Sequence, residues 1–267
     1  MSGGQALAEC VASALQIPCV GREILVAAAA KVGISAEVLG ARLETSPNVW
    51  DRFSTERAQY VAAVQSALAD LVAAGDLVYH GHAGHLLLRG LPAVVRVRLI
   101  APMPMRVRAV MERQHLKPDA ALEHIRKVDE NRVRWTRFLY NVDLTDPGLY
   151  DLVLSLETMS VRSACGVVSA AARAPEFAIT PEVRKAQADF ALAARVRLAL
   201  ATQPAARGLD LAVRADSGAV TITGAPPEAA SLASAGARLE GELRAIAAGV
   251  PGVVGVTVTV SPFQPKA

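Results

Sequence analysis

Four groups of residues in this chain have types and spacings that could do chemistry. Ser2, Gly3 and Gly4 lead directly into a helical pattern that begins at Gln5. A glycine-rich turn feeding a helix can hold an anion, because uncapped backbone N–H groups and the positive end of the helix dipole converge there. His80, His82 and His85 are spaced H-x-H-x-x-H, which invites a metal reading, but no nearby carboxylate or cysteine completes a ligand set, so turn and core histidines are expected and no metal. Arg126, Arg132, Arg134 and Arg137 put a basic run on a helix; it could close over phosphates or simply be a solvated face. Asp143 and Asp146, in NVDLTDPG, are carboxylates whose first expected role is to cap turns.

The elements that must position these groups follow from periodicity. Helical patterns run over Gln5–Leu15, Arg22–Val32, Ala36–Leu43 and Thr55–Ala74, the last closed by Gly75. Strands are expected at Ile17–Val20, Leu77–His80, Val94–Ile100 and Leu152–Leu156, and helices at Met105–Gln114, Pro118–Leu139 and Met159–Ala172. Strands alternating with helices imply parallel pairing in an α/β layer. The stretch APEFAITP reads as a linker over residues 174–181. After it come a helix (Glu182–Ala201), strands at residues 209–215 and 219–224 joined by Asp216-Ser217-Gly218, a helix (Pro227–Ala248) and a last strand at residues 253–260. This is an α-β-β-α-β unit.

Composition narrows the function classes. With 267 residues and 52% hydrophobic content the chain can bury a core. Its 28 basic and 25 acidic residues leave a net charge of only +3, spread along the sequence, and aromatics are 4%. Nucleic acid is therefore not an expected partner. Cys10, Cys19 and Cys165 are odd in number and far apart, so no disulfide framework is expected and a reducing cytoplasm fits best. No stretch has the pattern of a signal peptide or membrane span.

HGHAGHLLL, then VRVRLIAPMPMRVRAVMERQHL, then HIRKVDENRVRWTRFLYNVDLTDPGLYDLVLSLETMS resemble the cytidylate kinase-like family, a branch of the P-loop nucleoside monophosphate kinases. Ala101, Pro102, Arg106, Val107, Met111, Glu112, Arg113, Asp129, Arg132, Tyr150, Asp151 and Leu152 carry the resemblance in order. It implies a three-layer α/β fold over residues 1–173 with a parallel sheet, here lacking its usual first strand. It also implies nucleotide and phosphate binding by Ser2, Gly3, Gly4, Gln5, Gly81, His82, Gly84, Arg126 and Asp129, lid arginines Arg132 and Arg137 with catalytic roles, and ATP with Mg2+ as co-reactants if the protein is active. Gln5 stands where the family has a cation and His82 where it has an arginine. Two outcomes stay open: phosphorylation of a nucleoside monophosphate, or a degenerate form that only binds nucleotide.

A start codon upstream of Met1 would restore a strand and a leading glycine. With Met1 as the start, the strands at 77–80 and 94–100 are expected to pair directly or to leave a gap where a central strand would stand.

Residues 182–261 resemble a BON domain, a small module of bacterial envelope and osmotic-stress proteins, through Gly218, Val220, Thr221, Gly224, Gly252, Val253 and Val256. That resemblance implies an interaction module for a protein partner or an anionic lipid surface, and an alternative for the whole chain: an inactive scaffold or sensor.

Overall fold

A computed structural model describes residues 3–21, 23, 54–81, 83–207, 209–224 and 233–260. The expected helices Arg22–Val32 and Ala36–Leu43 lie outside the described residues, apart from Glu23. The described chain divides into two units, one holding residues 3–21 and 75–179, the other residues 54–74 and 180–260.

In the first unit, helix α1 (Gly4–Leu15) buries Leu7, Ala8, Val11 and Ala12, a stripe at one-turn spacing. Strand β1 (Cys19–Val20) pairs in parallel with β2 (Val78–Tyr79). Strand β3 (Val97–Ile100) pairs in parallel with β4 (Leu152–Ser155). Parallel partners need a crossover, and helices α4 (Met103–Gln114) and α5 (Pro118–Tyr140) supply it between β3 and β4. Helix α6 (Val161–Ala172) follows β4, capped by Ser160, whose Oγ accepts the Ser163 N–H at 3.1 Å. Leu7 and Val11 of α1, Leu154 and Leu156 at β4, and Ala164, Cys165 and Val168 of α6 form one buried cluster, with Val78, Val97 and Leu99 packed against it. The sheet layer is thus two short parallel pairs, and β2 and β3 do not pair with each other.

The short ladders are reinforced by side chains. The Arg96 N–H and Nε both donate to Asp151 Oδ2, at 2.7 and 3.1 Å, and Nη2 donates to Oδ1 at 2.6 Å. This clamps the entries of β3 and β4 together. The Arg96 side chain holds the Asp151 carboxyl below its ordinary range. Helices α4 and α5 meet through Val110, Ala121 and Ile125. Helix α4 starts two residues before its expected position because Pro104 is accommodated in the first turn, where no helical N–H is needed.

One expectation is overturned. Cys10 on α1 and Cys165 on α6 form a disulfide across 155 residues of chain, leaving Cys19 as a free, exposed thiol. Wide spacing in sequence says nothing about two helices that pack side by side on one sheet. The odd count is satisfied by one bond and one thiol.

In the second unit, helix α7 (Pro181–Ala201) is capped by Thr180, whose Oγ1 accepts the Val183 N–H at 3.3 Å. Strands β5 (Leu211–Asp216) and β6 (Ala219–Gly224) form an antiparallel hairpin. Ser217 and Gly218 both take positive φ, 51° and 89°, as a two-residue hairpin turn requires. Helix α8 (Ala233–Ala248) crosses over to β7 (Gly255–Val260), which pairs in parallel with β6. Val213, Val220, Ile222 and Val258 face Leu192, Val196, Leu200, Leu243 and Ala247 in the core. The α-β-β-α-β order expected from sequence is the order observed.

Helix α2 (Ser54–Ala74), expected within the first domain, packs in this second unit, where Ala69 meets Ala191 and Ala194 of α7. Arg197 of α7 donates to Gln65 Oε1 and, at 3.2 Å, to the Val213 carbonyl.

Two predictions follow from the packing around β2. A Cβ added at Gly84 would lie 2.4 Å from Tyr79 Cδ1, so Gly84→Ala forces a rigid ring to move. It should lower the chemical-denaturation free energy by about 1–3 kcal/mol. His85 packs against Tyr150 with ring centroids 4.8 Å apart and ring planes tilted by 40°, and burial, helped by the Arg96 charge, pushes its pKa down from 6.5 to about 4. The unfolded chain takes up that proton first, so stability should fall as pH drops from 6.5 towards 4 and level off below. The urea midpoint of wild type should therefore fall further between about pH 7 and about pH 4.5 than that of His85→Leu.

Candidate functional site

In parallel α/β layers, ligands collect at the carboxyl ends of strands, where helix amino ends also gather. Gly3, with φ 78°, is the N-cap of α1. A Cβ there would lie 3.1 Å from Leu156 Cδ1 and 3.9 Å from Leu99 Cδ2. The amino end of α1 therefore sits at the exits of β3 and β4. Leu7 N–H bonds the Gly3 carbonyl at 3.0 Å. No side chain caps this end and no acidic residue occupies its first turn, so its N–H groups can meet an anion without a competing carboxylate. The Gln5 side chain does not reach towards that end: its Nε2 donates to Glu9 Oε1 at 2.9 Å, one turn onward. Ser2 and His82 lie outside the described residues.

Gly81 and Gly84 follow β2 and wrap the Tyr79 ring. A Cβ on Gly81 would fall 2.3 Å from Tyr79 Oη. Packing alone therefore demands glycine at both positions. Ala83 between them adopts φ 58°, which completes the tight turn into the short helix α3 (Gly84–Leu87).

The α5 residues separate into two groups. Asp129 accepts from Arg106 Nη1 and Nη2, both at 2.7 Å, and the Arg106 side chain is only 13% exposed. This bidentate pair ties α5 to α4, so Asp129 is committed to the helix pair. Arg132 lies one turn on, its carbonyl accepting from the buried Thr136 hydroxyl at 2.8 Å. Arg126, Glu130, Arg134 and Arg137 recur at one-turn spacing on the exposed side. There Arg134 pairs with Glu130 at 2.9 Å. That mixed face matches the solvated-face reading of the arginine run. Asp143 accepts from the Thr145 N–H and hydroxyl, both at 2.8 Å, and Asp146 from the Gly148 N–H at 2.8 Å, so each carboxylate holds its own turn.

A feature the sequence reading passed over stands at the exits of β1 and β2. Glu23 Oε1 accepts the Gly21 N–H at 2.6 Å, and a Cβ on Gly21 would lie 2.8 Å from both Glu23 Oε2 and the His80 ring. Backbone N–H donation, from Glu23 itself and then from Gly21, keeps the Glu23 carboxyl ionised below its usual range, with His80 adding to the effect. The available signal was Gly-x-Glu directly after one short strand, and a histidine ending the next. Among the described residues no three His, Cys, Asp or Glu side chains gather to hold a metal ion, and no helix is long and apolar enough to cross a membrane.

The sequence profile of the cytidylate kinase-like family matches residues 1–158. A cytidylate kinase of Pyrobaculum islandicum is 29% identical over 171 residues, spanning 61% of this chain and 83% of the relative. One from Methanothrix thermoacetophila is 26% identical over 147 residues, 55% of this chain and 77% of the relative. One from Methanocaldococcus jannaschii is 22% identical over 124 residues, 46% of this chain and 70% of the relative. A crystal structure of an uncharacterized protein from Eubacterium ventriosum ATCC 27560 overlaps 64% of this chain and 92% of its own at 17% identity, with a TM-score of 0.46, too slight a likeness to decide the fold. The profile spans more than half of the sequence and takes in α1, the β3–β4 pair and the α5 arginines: the chain belongs to the cytidylate kinase-like family.

Proposed function

We propose that the first unit binds a nucleoside phosphate, with phosphate oxygens at the amino end of α1 and the base end towards the turn after β2, and transfers phosphoryl from ATP to a nucleoside monophosphate. The observation that carries this reading is the uncapped, acid-free amino end of α1 seated at the exits of β3 and β4, in a chain of this family. In this reading Ser2, Gly3, Gly4 and the Gln5 backbone are assigned to the phosphate cradle, Gly81, His82 and Gly84 to the acceptor turn, and the exposed Arg126, Arg132 and Arg137 to phosphate contacts that would be made when ligand binds; Asp129 holds α5 to α4 through Arg106. Mg2+ keeps most of its water and binds through few carboxylates and the phosphates themselves. It would therefore arrive with ATP, supplying charge neutralisation at the transferring group. Because the relatives are named cytidylate kinases, CMP is the first acceptor to test.

A second reading, binding without turnover, is favoured by the Gln5–Glu9 contact, because phosphoryl transfer depends on positive charge at the β and γ phosphates. Isothermal titration with ATP and Mg2+ and with CMP, coupled to an ADP-release assay, separates the two. Binding with ADP release on the order of 1 s⁻¹ or faster supports the kinase. Binding with no ADP release supports the second reading, and no binding by either nucleotide removes both. Where turnover is detectable, Gln5→Lys should raise kcat/KM for ATP by about 10-fold or more, and Arg132→Ala should lower kcat by about 100-fold.

The second unit is proposed to be a BON-like interaction module. Its open sheet face, with Thr221, Thr223, Thr257 and Thr259 exposed and Arg214 beside Thr221 in the register, is the surface offered to a protein partner or an anionic lipid.

A further inference from the structure

Helix α1 carries the phosphate-binding end at Gly3–Gln5 and, about two turns on, Cys10. Six residues separate Gly4 from Cys10, or about 9 Å along the axis. Contacts of three kinds, apolar, hydrogen-bonded and covalent, hold α1 down, and its buried face also includes Ala8 and Ala12. Leu7 and Val11 sit in the apolar cluster shared with β4 and α6. At the far end, Arg173 Nη2 donates to the Ala14 carbonyl at 2.8 Å. Between them lies the Cys10–Cys165 disulfide, the one covalent tie between α1 and α6 among the described residues. Below α1 the layer is thin: β1 and β2 are two residues each, β3 and β4 four each, and the two pairs are not joined to each other.

We propose that this disulfide is a reducible strut that sets the rigidity of the phosphate-binding end of α1, making ligand binding there dependent on the thiol state of the protein. The functional half of this proposal rests on the nucleotide-binding reading above. The chemistry is two-electron exchange with a dithiol reductant. Cys10 is partly exposed and Cys165 buried, so the reductant's thiolate attacks Cys10 Sγ. The Cys10–Cys165 S–S bond breaks, Cys165 leaves as a thiolate and takes a proton, and a mixed disulfide forms on Cys10. The reductant's second thiol then displaces Cys10, which also ends as a thiol, and the reductant leaves as its own disulfide. Loss of the strut leaves α1 held by its apolar face, Leu7, Ala8, Val11 and Ala12, and by one hydrogen bond near its far end, with no covalent tie to α6. Motion of its first turns then costs affinity, because an anion binds best to N–H groups that are already aimed.

The test uses the full chain isolated without reductant. Alkylation and intact mass should count one reactive thiol before dithiothreitol and three after. Amide hydrogen exchange over residues 3–15 should speed up on reduction, and the affinity for ATP with Mg2+ should fall about 10-fold. The double variant Cys10→Ser, Cys165→Ser should match reduced wild type with or without dithiothreitol, while Cys19→Ser should keep the full response. Reduced wild type supplies the same comparison if the double variant does not fold. Three reactive thiols in the untreated protein, or the same exchange at residues 3–15 in both thiol states, would overturn the strut. Faster exchange on reduction without ATP binding in either state supports the strut and removes the nucleotide reading instead.

Discussion

The arrangement of the first unit depends on how α1 lies against β4 and α6. Leu7 and Val11 reach Leu154, Leu156, Ala164 and Val168, and this apolar contact fixes the rotation of α1 about its axis. Rotation in turn decides where Gly3 goes: against Leu156 and Leu99, at the strand exits. A helix of 12 residues would be marginal alone in water. It persists through burial, so the same contact that stabilises it aims its amino end.

Electrostatics in this unit serve mostly to close gaps left by short strands. A pair of four-residue strands offers few ladder bonds, and the Arg96–Asp151 clamp adds charge-assisted bonds where they begin. Arg106 and Asp129 do the same for α4 and α5, whose apolar contact is small. Charged residues that a motif comparison assigns to ligands can thus be engaged in architecture, and Asp129 is such a residue.

Some of the local structure around the candidate site was legible in the sequence for a local reason. Gly3 and Gly4 before a helical pattern put a glycine at the N-cap, which has no side chain to offer as a cap. Asp143 and Asp146 precede Thr145 and Gly148 at Asx-turn spacing, and both bond there. The Gly21–Glu23–His80 group was not legible, because its members follow two strands whose ends meet only when β1 and β2 pair, 59 residues apart in register. The arginine run gave no choice between ligand face and solvent face until Asp129 was seen to turn inward to Arg106 and leave Arg126, Arg134 and Arg137 outside.

Among the described residues the sequence by itself determined most elements and their order, including the α-β-β-α-β series of the second unit but not the short helix α3, because periodicity, prolines and caps act within a few residues. Tertiary structure alone decided the partners. It joined Cys10 to Cys165, sent the helix Ser54–Ala74 to pack on α7, and kept β2 and β3 from pairing. Those outcomes depend on which apolar faces meet and at what angle, and no local pattern of residue types encodes the distance between segments separated along the chain.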